Sequence, residues 1–171
     1  MTLHWTPATE RTDLLAEPVA RAVTALDTGV EVAGIDPELA DTAAFCERYG
    51  VALDESANCV VVAAKRGGET RYAACMVLAT MRVDVNGVVR SHLDARKASF
   101  APMAQAVELT GMEYGGITPI GLPADWPVLV DTHVAGHSRV VIGSGVRRSK
   151  LAVSGATLAG LKGAEVLALA T

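Results

Sequence analysis

Two rhythms of apolar and polar positions run along this chain, and they predict a mixed set of elements. Thr6-Pro7 reads as an N-cap followed by proline at the first helical position, so a helix is expected from there to about Ala16. Pro18 restarts it, with Val19, Ala22, Val23 and Leu26 as the apolar face and Thr28-Gly29 as the stop. Val30–Val32 predicts a short strand. Asp36-Pro37 opens a second helix whose face is Leu39, Ala40, Ala43, Ala44 and Cys46, and Gly50 ends it. Two apolar runs, Val60–Ala64 and Arg71–Ala79, flank the turn signal Arg66-Gly67-Gly68-Glu69, so residues 58 to 80 read as a hairpin. Both arms are mostly apolar, which predicts a central hairpin covered on both faces.

The second half continues in the same mixed manner. Residues 82 to 94 carry both a turn signal, Asn86-Gly87, and a helical one, Asp84 as N-cap before Val85, Val88, Val89 and Leu93. Ala98–Phe100 predicts a short strand, and Pro102 opens a helix with Met103, Ala106, Val107 and Leu109 inside and Gly111 at its end. Val128–Val130, Val140–Ile142 and Lys150–Val153 predict strands. Ser154 caps a last helix ending at Gly163, and Val166–Leu169 predicts a closing strand. Strands and helices mix without regular βαβ alternation, so the fold class expected is α+β with a mixed sheet. One domain is expected over residues 1–171, with 1–29 as an N-terminal helical extension.

One stretch fits neither rhythm. Thr110 to Pro123 holds four glycines and two prolines, too many breakers for a helix or central strand. It also carries Met112, Tyr114, Ile117, Ile120 and Leu122, which are too apolar for a solvated linker. Such a loop lies against the protein body. Gly115 and Gly116 let bare backbone approach a ligand, Pro119 fixes the chain after them, and Thr118 adds a hydroxyl. The same composition also suits a plain structural turn.

Composition narrows the class. Only 4% of residues are aromatic although 50% are hydrophobic, so the core is built from Ala, Val and Leu. No apolar run reaches the roughly 18 residues of a membrane helix. The N-terminus has neither a basic nor a long apolar region, and a cytoplasmic location is the expectation. A net charge of −4 argues against a general nucleic-acid coat protein. Arg139, Arg147, Arg148 and Lys150 lie close in sequence and are candidates for a local basic patch that grips one end of an RNA, although most such clusters are only solvated surface. Cys46, Cys59 and Cys75 are too far apart for a Cys-x-x-Cys site and read as free thiols. His133 and His137 have the spacing of a helical metal pair, but Gly136 between them and the flanking strand signals favour a loop, so no metal site is assigned. No Gly-x-Ser-x-Gly motif is present, and Gly143-Ser144-Gly145 lacks the Gly-Lys-Ser/Thr of a phosphate loop.

The motif Gly115-x-x-x-Pro119, followed by Ile120-Gly121, resembles the Gly-x-x-x-Pro loop of the YbaK-like editing-domain family. These are aminoacyl-tRNA deacylases related to the insertion domain of bacterial prolyl-tRNA synthetase. Thr110-Gly111, Pro127–Asp131, Arg139–Gly145 and Lys150–Ser154 follow the family's order, so the resemblance covers about residues 30 to 165. It implies a curved mixed sheet flanked by helices, and it favours a helix over residues 82 to 94.

The resemblance also implies a chemistry: hydrolysis of the ester joining a wrong amino acid to the 3′ end of a tRNA, with no metal or organic cofactor. In that reading the backbone N–H groups of Gly115, Gly116 and Ile117 bind the ester carbonyl and its developing charge. Thr118 and Pro119 bind the amino acid or terminal ribose. The residues themselves leave Asp131 open between a strand end that faces the pocket and a plain exposed strand end. The partners implied are the 3′ end of a mischarged tRNA and an aminoacyl-tRNA synthetase, with no membrane. The sequence departs from the family at one position. A lysine is expected at the start of the first central strand, and Asn58 stands there, which keeps hydrogen bonding but loses the charge. Lys65 lies about 23 Å further along the same strand and is no simple substitute; Lys97 and Arg82 are further cationic candidates. Cys59 neighbours Asn58, and adjacent strand residues point to opposite faces, so the two are not expected in one pocket. Two alternatives stay open: a non-catalytic module binding an aminoacyl group or tRNA end on the same fold, and a hydrolase of another small acyl ester.

Overall fold

The computed structural model describes residues 2–26 and 29–171. Two sheets carry the chain. The first is four-stranded and antiparallel, in the order β1 (Thr6–Pro7), β2 (Glu31–Gly34), β8 (Ser149–Val153), β7 (Val140–Gly143). The second is five-stranded and mixed, in the order β5 (Lys97–Phe100), β3 (Ala57–Arg66), β4 (Glu69–Leu78), β6 (Val128–Asp131), β9 (Ala164–Leu167). Here β3 pairs antiparallel with β4 and β5, whereas β4–β6 and β6–β9 are parallel. A parallel bridge between Ser56 and Val141 joins the two sheets at one point, between β7 and the start of β3. The expected curved mixed sheet is thus two sheets meeting at a seam.

The helices are α1 (Glu17–Ala25), α2 (Thr42–Tyr49), α3 (Arg90–His92, entered through a π-helical turn at Val85–Val89), α4 (Met103–Thr110), α5 (Thr132–Ala135) and α6 (Gly155–Ala159). Asp84 caps the π-helical turn by accepting from the N–H groups of Gly87 and Val88, which resolves residues 82 to 94 in favour of helix. Gly50 and Gly111 stop α2 and α4 in the left-handed conformation, as expected.

The hairpin β3–β4 is central. Ala73, Cys75 and Val77 pack into one apolar cluster with Val89 and Leu93, while Met76 and Leu78 point into another with Val19, Val23 and Leu151. The period of two places alternate residues in different cores, which is why nearly every position is apolar.

Three expectations are corrected. Residues 6 to 16 do not form a helix: Thr6 and Pro7 pair with Val32 and Glu31 as an edge strand, and short 3-10 turns follow at Ala8–Glu10 and Thr12–Leu14. Proline is tolerated on an edge, where its missing N–H costs no ladder bond. Residues 132 to 135 are a short helix rather than a loop, because Asp131 caps it. The last helix ends at Gly160, and β9 lies at Ala164–Leu167, two residues earlier than the apolar run suggests. The stop expected at Thr28-Gly29 falls partly outside the described residues.

Asp131 ties several elements together. Its carboxylate accepts from the N–H of His133 at 3.1 Å and from the N–H groups of Leu169 and Ala170 at 3.1 Å each, with the His133 ring nitrogen at 2.9 Å. Burial works to raise its pKa, and these hydrogen bonds outweigh burial and hold it below the ordinary 3.8. Asp131→Ala is expected to cost about 2–3 kcal/mol in chemical unfolding, because it strips a cap and orphans buried donors. Since the folded pKa lies below the unfolded one, this contribution is present in full above the ordinary carboxylate range and is lost as pH falls through the lowered value. Asp131→Asn should therefore flatten the acid limb of the stability curve below pH about 4.

Candidate functional site

Beyond the Ser56–Val141 bridge, β3 and β7 no longer touch through main-chain bonds, and the loop of residues 113–118 passes between them. Glycine makes this passage possible. A Cβ on Gly143 would lie 2.7 Å from the Gly116 carbonyl oxygen and 2.8 Å from that of Ile117. A Cβ on Gly116 would lie 2.8 Å from the Val146 carbonyl oxygen. The N–H of Gly145 donates to the Gly116 carbonyl at 2.6 Å, and that of Glu113 donates to the Gly145 carbonyl at 2.8 Å. The loop is thus pinned to the β7–β8 connection by backbone lying on backbone.

A cavity of about 350 Å³ opens where the loop meets the two strands. Its mouth is formed by exposed Asp41, Met103, Tyr114 and Gly115. Its floor consists of the buried residues Ala40, Ser56, Ala57, Ile142 and Lys150. Asn58, Cys59 and Thr42 line the wall between. Both Asn58 and Cys59 reach the cavity, contrary to the expectation from strand alternation. The reason is that β5 pairs with β3 only from Val62 to Lys65, so the cavity follows the open edge of β3 and reaches residues of both faces.

Several groups here offer hydrogen-bond donors. The Asn58 side-chain oxygen accepts from the Thr42 hydroxyl at 2.7 Å, which leaves the amide NH2 as its uncommitted end among the described residues. The N–H groups of Gly115 and Ile117 have no protein acceptor among the described residues. Gly115 adopts a left-handed backbone, φ 79°, and a Cβ there would meet the Arg147 guanidinium.

Other expected site residues are placed elsewhere. The N–H of Gly116 is committed to the Glu113 carbonyl at 3.0 Å, and the residue faces Val146 rather than the cavity. Thr118 is fully buried with its N–H directed at the Met112 sulfur, and neither it nor Pro119 lines the cavity. Asp131 also lies outside it and serves the capping role described above. Lys65 and Lys97 face each other across β3–β5 at the far end of the sheet, and Arg82 pairs through its backbone with Thr171.

The four cations expected to form a patch are dispersed. Arg139 pairs with Glu31 and lies over Trp5, and Arg148 donates to the Asp13 carbonyl. Arg147 stays at the rim, 3.7 Å from Asp41 and within 3.3 Å of the Tyr114 carbonyl. Lys150 alone turns inward. It is 7% exposed, and its Nζ donates to the Ala40 carbonyl at 2.9 Å and sits 5.2 Å from the Phe45 ring centroid. The sequence marks this lysine only as part of a surface cluster, since its neighbours come from residues 40 to 58, about a hundred positions away. Burial, with a smaller contribution from Arg147, lowers its pKa from 10.5 to about 8 against the raising effects of Cys46 and Asp41.

Cys59 is the one thiol on the cavity wall. Burial, with Cys75 beside it, pushes its pKa far above 9, and burial raises Cys75 to about 12. Burial therefore disfavours the thiolate form of both, the form in which a cysteine acts as a nucleophile. No group of three or more His, Cys, Asp or Glu among the described residues has the arrangement of a metal site.

The aminoacyl-tRNA editing domain family model matches residues 36–161. Comparison with curated protein sequences finds no significant match. Among solved structures, the chain is similar to a proposed trans-editing enzyme for prolyl tRNA synthetase, with TM-score 0.77 and 21% identity over 91% of this chain and 96% of that one. It is similar also to the hypothetical protein APE2540, with TM-score 0.81 and 21% identity over 91% of this chain and 100% of that one. At these identities the likeness is one of fold. No helix among the described residues is long and apolar enough to cross a membrane.

Two outcomes follow from the buried groups. With a thiol reagent at pH 7, the native protein should show no fast-reacting cysteine, and all three should react in denaturant. Lys150→Met should unfold about 1–3 kcal/mol less readily than wild type at pH 7, because the buried ammonium has no carboxylate partner. The folded pKa of about 8 lies below the unfolded 10.5, so wild type gains stability as pH rises between them, and the gap should narrow toward pH 10.

Proposed function

Because the chain belongs to the aminoacyl-tRNA editing domain family, we propose that it hydrolyses the ester of a mischarged tRNA, acting in trans on the aminoacylated 3′ end. The observation that carries this reading is that three residues lining one small cavity each have an uncommitted donor among the described residues: the Asn58 amide and the N–H groups of Gly115 and Ile117. Water attacks the carbonyl carbon, the bond to the ribose oxygen breaks, and the proton lost by water ends on that oxygen. A free amino acid and a tRNA with its terminal hydroxyl restored are released.

The ester is already activated, so placing carbonyl and water supplies much of the rate. Donors fixed before the reaction stabilise the oxygen as its charge develops. Thr42 locks Asn58 with its donor end free, and the glycine contacts of the loop fix the N–H groups, so neither reorganises at the moment of reaction. The cavity, about 350 Å³, has room for an aminoacyl group, and the tRNA body stays outside its mouth. The likeness to a proposed trans-editing enzyme for prolyl tRNA synthetase supports a role beside a synthetase. The second reading, binding without turnover, is favoured by the absence of a positively charged residue at position 58.

The test is deacylation of a panel of tRNAs mischarged with small amino acids, run on wild type, Asn58→Ala and Asn58→Lys. Hydrolysis by wild type, reduced about 10²-fold in Asn58→Ala, is expected. Binding of aminoacyl-tRNA with an unchanged ester lifetime, and a gain of hydrolysis in Asn58→Lys, would replace this reading with the binding module.

A further inference from the structure

The cavity has a polar floor that the ester chemistry does not use. A tRNA is too large to enter 350 Å³, so the acyl part is what reaches the buried end. There it meets Lys150, whose ammonium carries three donors and has one protein acceptor, the Ala40 carbonyl. No carboxylate lies within ion-pair distance of Lys150 among the described residues, and the nearby Asp41 is 72% exposed at the rim. Ser56 adds a buried hydroxyl to the same floor, donating to the Val141 carbonyl at 3.4 Å and lying in hydrogen-bond contact with the Cys46 thiol.

We propose that Lys150 is the specificity-determining residue of this cavity, and that it selects acyl groups whose short side chain ends in an oxygen acceptor: a hydroxyl, carboxamide or carboxylate. This rests on the aminoacyl-ester reading above. An aliphatic acyl group entering the cavity displaces water from the ammonium and leaves two N–H donors unpaired, whereas an oxygen accepts them. Sites built to hydrogen-bond a substrate group discriminate strongly against analogues lacking it, far more than a hydrophobic pocket separates two aliphatic groups. The depressed pKa agrees with this geometry, since it reports a charge that the protein itself does not neutralise.

The test compares seryl, aspartyl and alanyl groups on one tRNA body, alongside the corresponding adenosine analogues with a non-hydrolysable 3′-amide link. Wild type and Lys150→Met are measured for hydrolysis and for binding by calorimetry, with Lys150→Arg as the conservative variant. Methionine fills the space of the lysine stem, and thermal unfolding checks that the fold is kept. Wild type is expected to favour the seryl or aspartyl group at least tenfold over alanyl, which of the two leads identifying the acceptor. The preference should collapse in Lys150→Met and survive in part in Lys150→Arg. A preference for alanyl in wild type, a preference unchanged in Lys150→Met, or no binding of any analogue at millimolar concentration would overturn the proposal. Ranked analogue binding with no hydrolysis of any ester would support the Lys150 assignment while removing the deacylase reading.

Discussion

The contact on which this molecule depends is main chain against main chain. At the seam between the two sheets, Gly116 and Gly143 remove the side chains that would hold the loop away from β7 and the β7–β8 connection, while Gly145 bonds the loop through its backbone and leaves room for Ala16 and Val19. A backbone seated this closely cannot drift, and so it acts as a rigid wall of a cavity rather than as a mobile flap. The cost is conformational freedom lost by three glycines on folding, which the surrounding packing of Val146, Ile142 and Met112 must offset. Everything placed at the cavity, from the left-handed Gly115 to the side chains of β3, takes its position from that wall.

Electrostatics divide the cavity by depth. The mouth carries exposed Asp41 and, at its rim, Arg147, which is partly covered and rests on Tyr114. The wall carries neutral dipoles, Thr42 and Asn58, held by one short hydrogen bond. The floor carries the one buried cation, under-paired and close to an aromatic ring. Charge of this kind is worth most where water is least, and the fold places it among the buried residues of the cavity rather than at the mouth.

Much of this was legible in the chain. The hairpin 57–78 and the helix stops at Gly50 and Gly111 follow from local chemistry, because period-two burial and left-handed glycines leave direct marks in sequence. The loop at 115–119 was legible as a special place, but which of its N–H groups remain free was not: Gly116 spends its own on a turn to Glu113, a choice set by three-dimensional closure. Asp131 looked like a pocket residue because strand-end carboxylates often are. Its true partners, Leu169 and Ala170, lie 38 and 39 positions away. Lys150 was hidden in a run of basic residues, since nothing local distinguishes a lysine pointing inward from three arginines pointing out. At the N-terminus the proline that suggested a helix start equally suits an edge strand, and pairing with β2 decided between them.

The strand that bears Lys150 is laddered on both flanks, to β2 and to β7. Its backbone is therefore held independently of what the side chain does, and position 150 is a place where chemistry can change while architecture stays still. A lysine codon lies one base from those for methionine or isoleucine, glutamine, asparagine, threonine, arginine and glutamate. The floor of this cavity can thus pass from cationic to neutral to anionic in single mutational steps, with the loop and its donors untouched. In a scaffold arranged in this way the charge at the floor can change without any shift of the wall above it.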